Sequence, residues 1–190
     1  MAHAVFICGP AGTGKSTVGK ALLRLLLADG RPACLLDKDT LTDGLSQAFM
    51  AALTGDGADR DSPIYKSQVR DLEYAAVLDT ARENLELGVS CIMPAPWTRE
   101  LNSGRLASAA ALAFPKDTSV RTVWLALGDD ARRRRIEQRG HVRDAYKLDH
   151  WAQVGAADGK PVLPGLLELD ASRSASDLAA VLRDHLMMLA

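Results

Sequence analysis

Five short apolar runs punctuate the chain: Val5–Cys8, Ala33–Leu36, Val89–Met93, Val120–Leu127 and Leu166–Asp170. Each is too short for a buried helix, is rich in β-branched or aliphatic residues, and predicts a strand. Between them apolar positions return every three to four residues. That spacing predicts helices from about Ser16 to Ala28, from a Thr40 cap through Leu41–Leu53, from Tyr65 to Leu87, and from Leu101 to Phe114. An arginine-dense helix over Asp130–Arg139, a short one to about Gln153, and a last one capped by Ser174 or Ser176 complete the set. Gly30, Gly88 and Gly140 stand where helices should stop. Thr54–Pro63 and Gly155–Pro164 read as loops. Alternating strands and helices predict an α/β domain with five parallel strands and helices on both faces, its ligands gathered at the carboxyl ends of the strands.

At 190 residues the chain fits a single domain, expected to run from 1 to 190. A formal net charge of −1 supplies no overall positive field, which disfavours a nucleic-acid-coating role and membrane attraction. No run approaches the ~20 apolar residues needed to span a bilayer, and the start shows neither a basic segment nor a cleavage motif, so a cytoplasmic protein is expected. Cys8, Cys34 and Cys91 are three, lie inside apolar runs and form no C-x-x-C pair; they read as buried strand thiols. His3, His141, His150 and His185 lack ligand spacing, so no transition-metal site is expected.

The strongest chemical signal is Gly9-Pro-Ala-Gly-Thr-Gly-Lys15-Ser16, entered by a strand and left by a Leu-rich helix. It matches G-x-x-x-x-G-K-[ST] in the required context. Glycines allow the backbone to turn successive N–H groups inward as an anion nest at a helix amino end. Lys15 would reach the β- and γ-phosphates, and the Ser16 hydroxyl would ligate Mg²⁺. The expected nucleotide site is Gly9, Ala11, Gly12, Thr13, Gly14, Lys15, Ser16 and Thr17, joined by Arg139. The cofactors are then ATP and Mg²⁺.

Strand two ends in Asp37-Lys38-Asp39. Residues two apart on a strand share a face, so both carboxylates should meet the ligand crevice. One could accept a hydroxyl proton and the other hold Mg²⁺ through water; the plainer reading has both merely capping the next helix. The layout GPAGTGKST followed by LLDKDTLTDGLS resembles small P-loop phosphotransferases: adenylylsulfate kinases, chloramphenicol phosphotransferase and polynucleotide kinases, and bacterial AAA-annotated ATP-binding proteins of that group. The resemblance implies a three-layer α/β/α sandwich, a parallel sheet of order 2-3-1-4-5, and an Arg-rich lid. It also gives Asp39 the role of general base, with Asp37 holding or positioning the metal.

Val89–Met93 ends without the acidic residue that many P-loop ATPases carry there, which argues against a motor or switch. After it, Trp97 could flank an acceptor and Arg99 grip an anion, or both could belong to an ordinary loop. In the lid, about 129–153, Arg132, Arg135 and Arg139 share a helical face. Planar guanidinium groups suit phosphate, so Arg135 and Arg139 are expected to close over the transfer, with Arg143 on the acceptor side or paired with Asp144. The insert of about 40–87 holds Asp43, Arg60, Tyr65, Arg70, Glu73 and Tyr74. There Arg70 and Tyr74 could line a pocket or form an exposed stripe.

These features point to an ATP-dependent kinase for a small-molecule hydroxyl: a sugar, a nucleoside or an antibiotic-like acceptor. Alternatives are a nucleoside monophosphate or polynucleotide 5′-kinase, and a nucleotide-gated regulatory ATPase module. A monomer or homodimer, without nucleic acid or membrane, is expected.

Overall fold

The computed structural model describes residues 1–141, 144–152 and 166–188. Five strands form one parallel sheet in the order β2-β3-β1-β4-β5: β1 His3–Cys8, β2 Ala33–Leu35, β3 Ser90–Pro94, β4 Ser119–Ala126 and β5 Leu167–Asp170. The order and parallel sense are those expected. The helices are α1 Lys15–Ala28, α2 Lys38–Thr54, α3 Pro63–Gln68, α4 Arg70–Glu86, α5 Thr98–Asn102, α6 Asp129–Arg139, α7 Ala145–Asp149 and α8 Ala175–Met187.

Alternation along β1 builds two cores. Ala4, Phe6 and Cys8 face a layer of α4 and α5, with Val77, Leu78 and Ala81 among its buried side chains. Val5 and Ile7 face α1 and α8, packing with Leu22, Leu26, Leu178 and Leu182. A fully buried aliphatic side chain stabilises by about 1.5–3 kcal/mol, so the two faces hold the sheet rigid beneath the loops at its carboxyl edge. No described helix is long and apolar enough to cross a membrane.

Three expectations need correcting. The long helix expected from Tyr65 to Leu87 is two helices. Ser62 Oγ accepts from the Tyr65 amide and Pro63 opens α3, while Val69 (φ −117°) stands between the two helices as the C-cap of α3 and packs with Met50 and Tyr65. The Ala-rich stretch 101–114 is not one helix either. Gly104 turns left-handed (φ +71°) after α5, and two 3₁₀ turns, Arg105–Ala107 and Ala110–Leu112, follow. Helix α2 begins at Lys38 rather than Thr40, because Asp37 is its cap. The Gly155–Pro164 loop lies outside the described residues.

Candidate active site

The loop between β1 and α1 is pressed against two neighbours. Gly9 has φ +134°, and a Cβ there would meet Leu125 O at 2.7 Å; Gly12 has φ +84°, and a Cβ there would meet Arg132 O at 2.7 Å. Only glycine satisfies both the backbone angle and the close approach. Gly14 caps α1 without a side-chain bond, which leaves first-turn N–H groups for an anion. Pro10 O accepts from Thr13 Oγ1 at 3.0 Å and from Lys15 Nζ at 2.7 Å. The ammonium is thus held across the mouth of the loop. Ser16 and Thr17 are exposed at the start of α1.

Helix α6 locks this loop. Arg132, 2% exposed, donates from Nε to Ala11 O at 3.0 Å and pairs through Nη1 with Asp129 at 3.1 Å. Its guanidinium lies 5.3 Å from the Trp151 ring centroid. Arg135 Nη1 lies 3.8 Å from where a Cβ on Gly14 would stand, and its Nη2 donates to Ala171 O at 3.1 Å. The structure therefore brings Arg135 beside Gly14 of the loop. Arg139 instead donates from Nε and Nη2 to Asp144 Oδ2, the carboxylate expected for Arg143. Arg143 lies outside the described residues. Arg132 is the lid arginine that sequence reasoning passed over as a contact; its only signal was its place on the Arg135–Arg139 face.

At the end of β2 the expected shared strand face does not exist. The strand stops at Leu35 and Asp37 turns into α2. Asp37, 7% exposed, accepts at Oδ1 from the Asp39 amide at 3.0 Å and the Thr40 amide at 3.4 Å. Asp39 sits in the first helical turn with its side chain 44% exposed and Oδ1 3.1 Å from Lys38 Nζ. Lys38 is itself buried, and Nζ bonds Glu73 Oε2 at 2.7 Å. Tyr65 donates its hydroxyl to the same Glu73 oxygen at 2.6 Å. Burial, then the neighbouring Glu73 carboxylate, pushes the Tyr65 hydroxyl well above its ordinary range, which keeps it a neutral donor. Glu73 Oε1 is buried without a hydrogen-bond partner. Lys38 touches Asp39, and Glu73 is linked to it only through Lys38; a lysine between two aspartates reads in sequence as an ordinary solvated charge.

Arg70 and Tyr74 do meet, but on each other. The guanidinium lies 3.9 Å from the ring centroid and forks to both oxygens of Glu100 at 2.9 Å. Burial opposes the charge of Arg70, but the Glu100 bond and neighbouring charges raise its pKa further. Tyr74 is buried beneath it. Trp97 is the clear correction: it is 0% exposed, packs edge-on against Phe6 at 5.0 Å and Tyr74 at 4.8 Å, and donates from Nε1 to Met93 O at 2.9 Å. Its φ of +54° is one that L side chains rarely adopt, and this burial is what holds it there. It is a core residue, not a wall of the acceptor site. Arg99, a candidate anion grip, pairs with Asp71 at 2.7 Å.

The donor set suits a magnesium–triphosphate complex. Gly14 leaves the first-turn N–H groups of α1 without a side-chain cap, Ser16 offers an exposed hydroxyl, and the cap engages only Oδ1 of Asp37. Among the described residues, no group of three or more His, Cys, Asp or Glu side chains converges to hold a metal. An open depression of about 590 Å³ lies at the carboxyl ends of β4 and β5, bordered by Leu127, Gly128, Glu168 and Asp170.

Solved structures share this architecture. APS kinase CysC of Mycobacterium tuberculosis, in complex with AMPPNP and APS, superposes with a TM-score of 0.61 at 23% identity, covering 98% of each chain. A sugar kinase from Janibacter sp. HTCC2649 gives 0.60 at 17% identity, covering 97% of this chain and 93% of that one. A gluconokinase from Sinorhizobium meliloti 1021 gives 0.56 at 16%, covering 99% and 97%. At such identities these likenesses establish the fold, that of small P-loop kinases. No curated protein sequence matches. The AAA_33 family profile, described as an AAA domain, matches residues 5–157, and the chain belongs to that family.

Proposed function

We propose that the chain transfers the γ-phosphate of ATP to a hydroxyl of a small molecule. The observation that carries this reading is Asp39 in the first turn of α2, at the same carboxyl edge of the sheet as the glycine loop. An alcohol placed between them would meet a carboxylate on one side and a held triphosphate on the other, which is the arrangement phosphoryl transfer requires. Neighbours named as APS kinase, sugar kinase and gluconokinase support the reaction class.

In this mechanism the loop amides and Lys15 hold the β- and γ-phosphates, with Lys15 exchanging the Pro10 carbonyl for phosphate oxygen. Ser16 and Asp37 would hold Mg²⁺, which neutralises charge on the phosphates when bound. Asp39 accepts the proton of the attacking hydroxyl. Arg135, already beside Gly14, stabilises charge on the transferring group, while Arg139 stays on the buried Asp144 and orders the end of α6. The reading is tested by ATP consumption over a panel of sugars, polyols, nucleosides and hydroxylated antibiotics. A compound that raises ATP turnover and gains a phosphoryl group supports it. ATP consumed at one slow rate whatever is added points to a hydrolysing switch instead.

A further inference from the structure

The insert after β2 differs in charge from the lid. Residues 37–100 carry twelve carboxylates against six cations, whereas α6 carries five arginines against three carboxylates. Five of the insert's six cations are also paired. Lys38 Nζ lies 2.7 Å from Glu73 and 3.1 Å from Asp39. Arg70 forks to Glu100, and Arg60 pairs with Asp43 at 3.0 Å. The side chains of these three cations are only 10%, 13% and 8% exposed. Arg82 and Arg99 pair with Asp79 and Asp71, and Lys66 is on the exposed side of α3.

Drawing Lys38 or Arg70 toward an anionic acceptor would strip a partner from Glu73 or Glu100, whose side chains are 2% and 7% exposed. A buried carboxylate deprived of its cation is strongly destabilising. Glu73 also keeps Oε1 buried without a partner, so its carboxylate is under-compensated even now. From this charge balance, and resting on the kinase reading above, we infer that the acceptor carries no anionic group: it is an uncharged or amine-bearing hydroxyl compound. An acid, sulfate or phosphate on the acceptor would add like charge beside Asp39 and find the insert's buried cations, Lys38, Arg60 and Arg70, already bound.

The test compares transfer from Mg·ATP to three sets of probes: glucose, myo-inositol and adenosine; glucosamine and an aminocyclitol antibiotic; gluconate, glucose 6-phosphate and adenylyl sulfate. The expected result is kcat/KM at least about tenfold higher for the best uncharged or amine-bearing probe than for any anionic one. Equal or preferred use of an anionic probe overturns the inference while leaving the kinase reading intact. Binding of Mg·ATP with transfer to no probe counts against both. Glu73→Gln supplies a second arm, because it removes the charge that holds Lys38. The ratio of anionic to uncharged kcat/KM should rise several-fold, by about 3-fold or more. An unchanged ratio in a folded, ATP-binding variant contradicts the role given to the Lys38–Glu73 pair.

Discussion

Arg132 donates from its Nε to the main-chain oxygen of Ala11 at 3.0 Å, tying the first arginine of the lid face to the phosphate loop across 121 positions of sequence. Because Gly12 also packs against the Arg132 backbone, loop and lid helix form one unit. Through this bond Arg132 fixes the shape of the loop from the lid side.

Arg132→Ala should therefore destabilise the fold by about 2–4 kcal/mol, through lost packing of the buried Arg132 side chain and loss of its bond to Ala11. It should also weaken ATP binding. Urea unfolding and nucleotide titration check the two effects; loss of affinity with unchanged stability would place Arg132 on the phosphates instead.

Lys15→Ala removes the ammonium now held on Pro10. A charge-assisted bond contributes about 1.5–3 kcal/mol, so ATP affinity should fall roughly ten- to a hundredfold. Isothermal titration with Mg·ATP measures this, and a change under twofold would show that the loop amides alone hold the triphosphate.

Trp97→Ala opens a cavity between Phe6 and Tyr74 and should cost about 3–5 kcal/mol. At a temperature where the variant remains folded, ATP affinity should match the wild type. A variant of full stability would contradict the buried placement.

Asp37 separates two roles cleanly. Asp37→Asn keeps an N-cap, whereas Asp37→Ala loses it at about 1 kcal/mol. If Asp37 also holds magnesium, both variants should need more Mg²⁺ for half-maximal turnover, and only the alanine variant should melt earlier. An unchanged Mg²⁺ requirement in both would leave Asp37 as a cap alone.

His3 is buried, with both ring nitrogens lacking hydrogen-bond partners. Burial, then Arg121 and Arg31, holds its pKa below the ordinary 6.5. Below about 6.5 the unfolded chain binds a proton that the folded chain refuses, so stability should fall as pH drops from 7 through that value. His3→Leu should flatten this part of the pH–stability curve. An identical slope in the variant would assign it to other groups.

The sheet was legible because apolar runs such as Val5–Cys8 and Val120–Leu127 have one stable solution between two helical layers. The glycine loop was legible because its spacing follows from phosphate geometry. What stayed hidden depends on contacts between distant segments. Trp97 follows two prolines in a polar stretch, and only the fold shows the Phe6 and Tyr74 rings that enclose it. Asp37 and Asp39 look equivalent at two-residue spacing, yet the turn into α2 buries one as a cap and leaves the other partly exposed. The Lys38–Glu73 pair joins residues 35 apart. Neither its burial nor its link to Asp39 has a local pattern.

Asp39→Asn bears most directly on the whole account. With an acceptor from the panel, phosphoryl transfer should fall by about 10²–10⁴-fold while the dissociation constant for Mg·ATP stays within about twofold, since the substitution removes a proton acceptor and leaves the loop intact. Transfer at the wild-type rate with unchanged ATP affinity would contradict the assignment of Asp39 as the base.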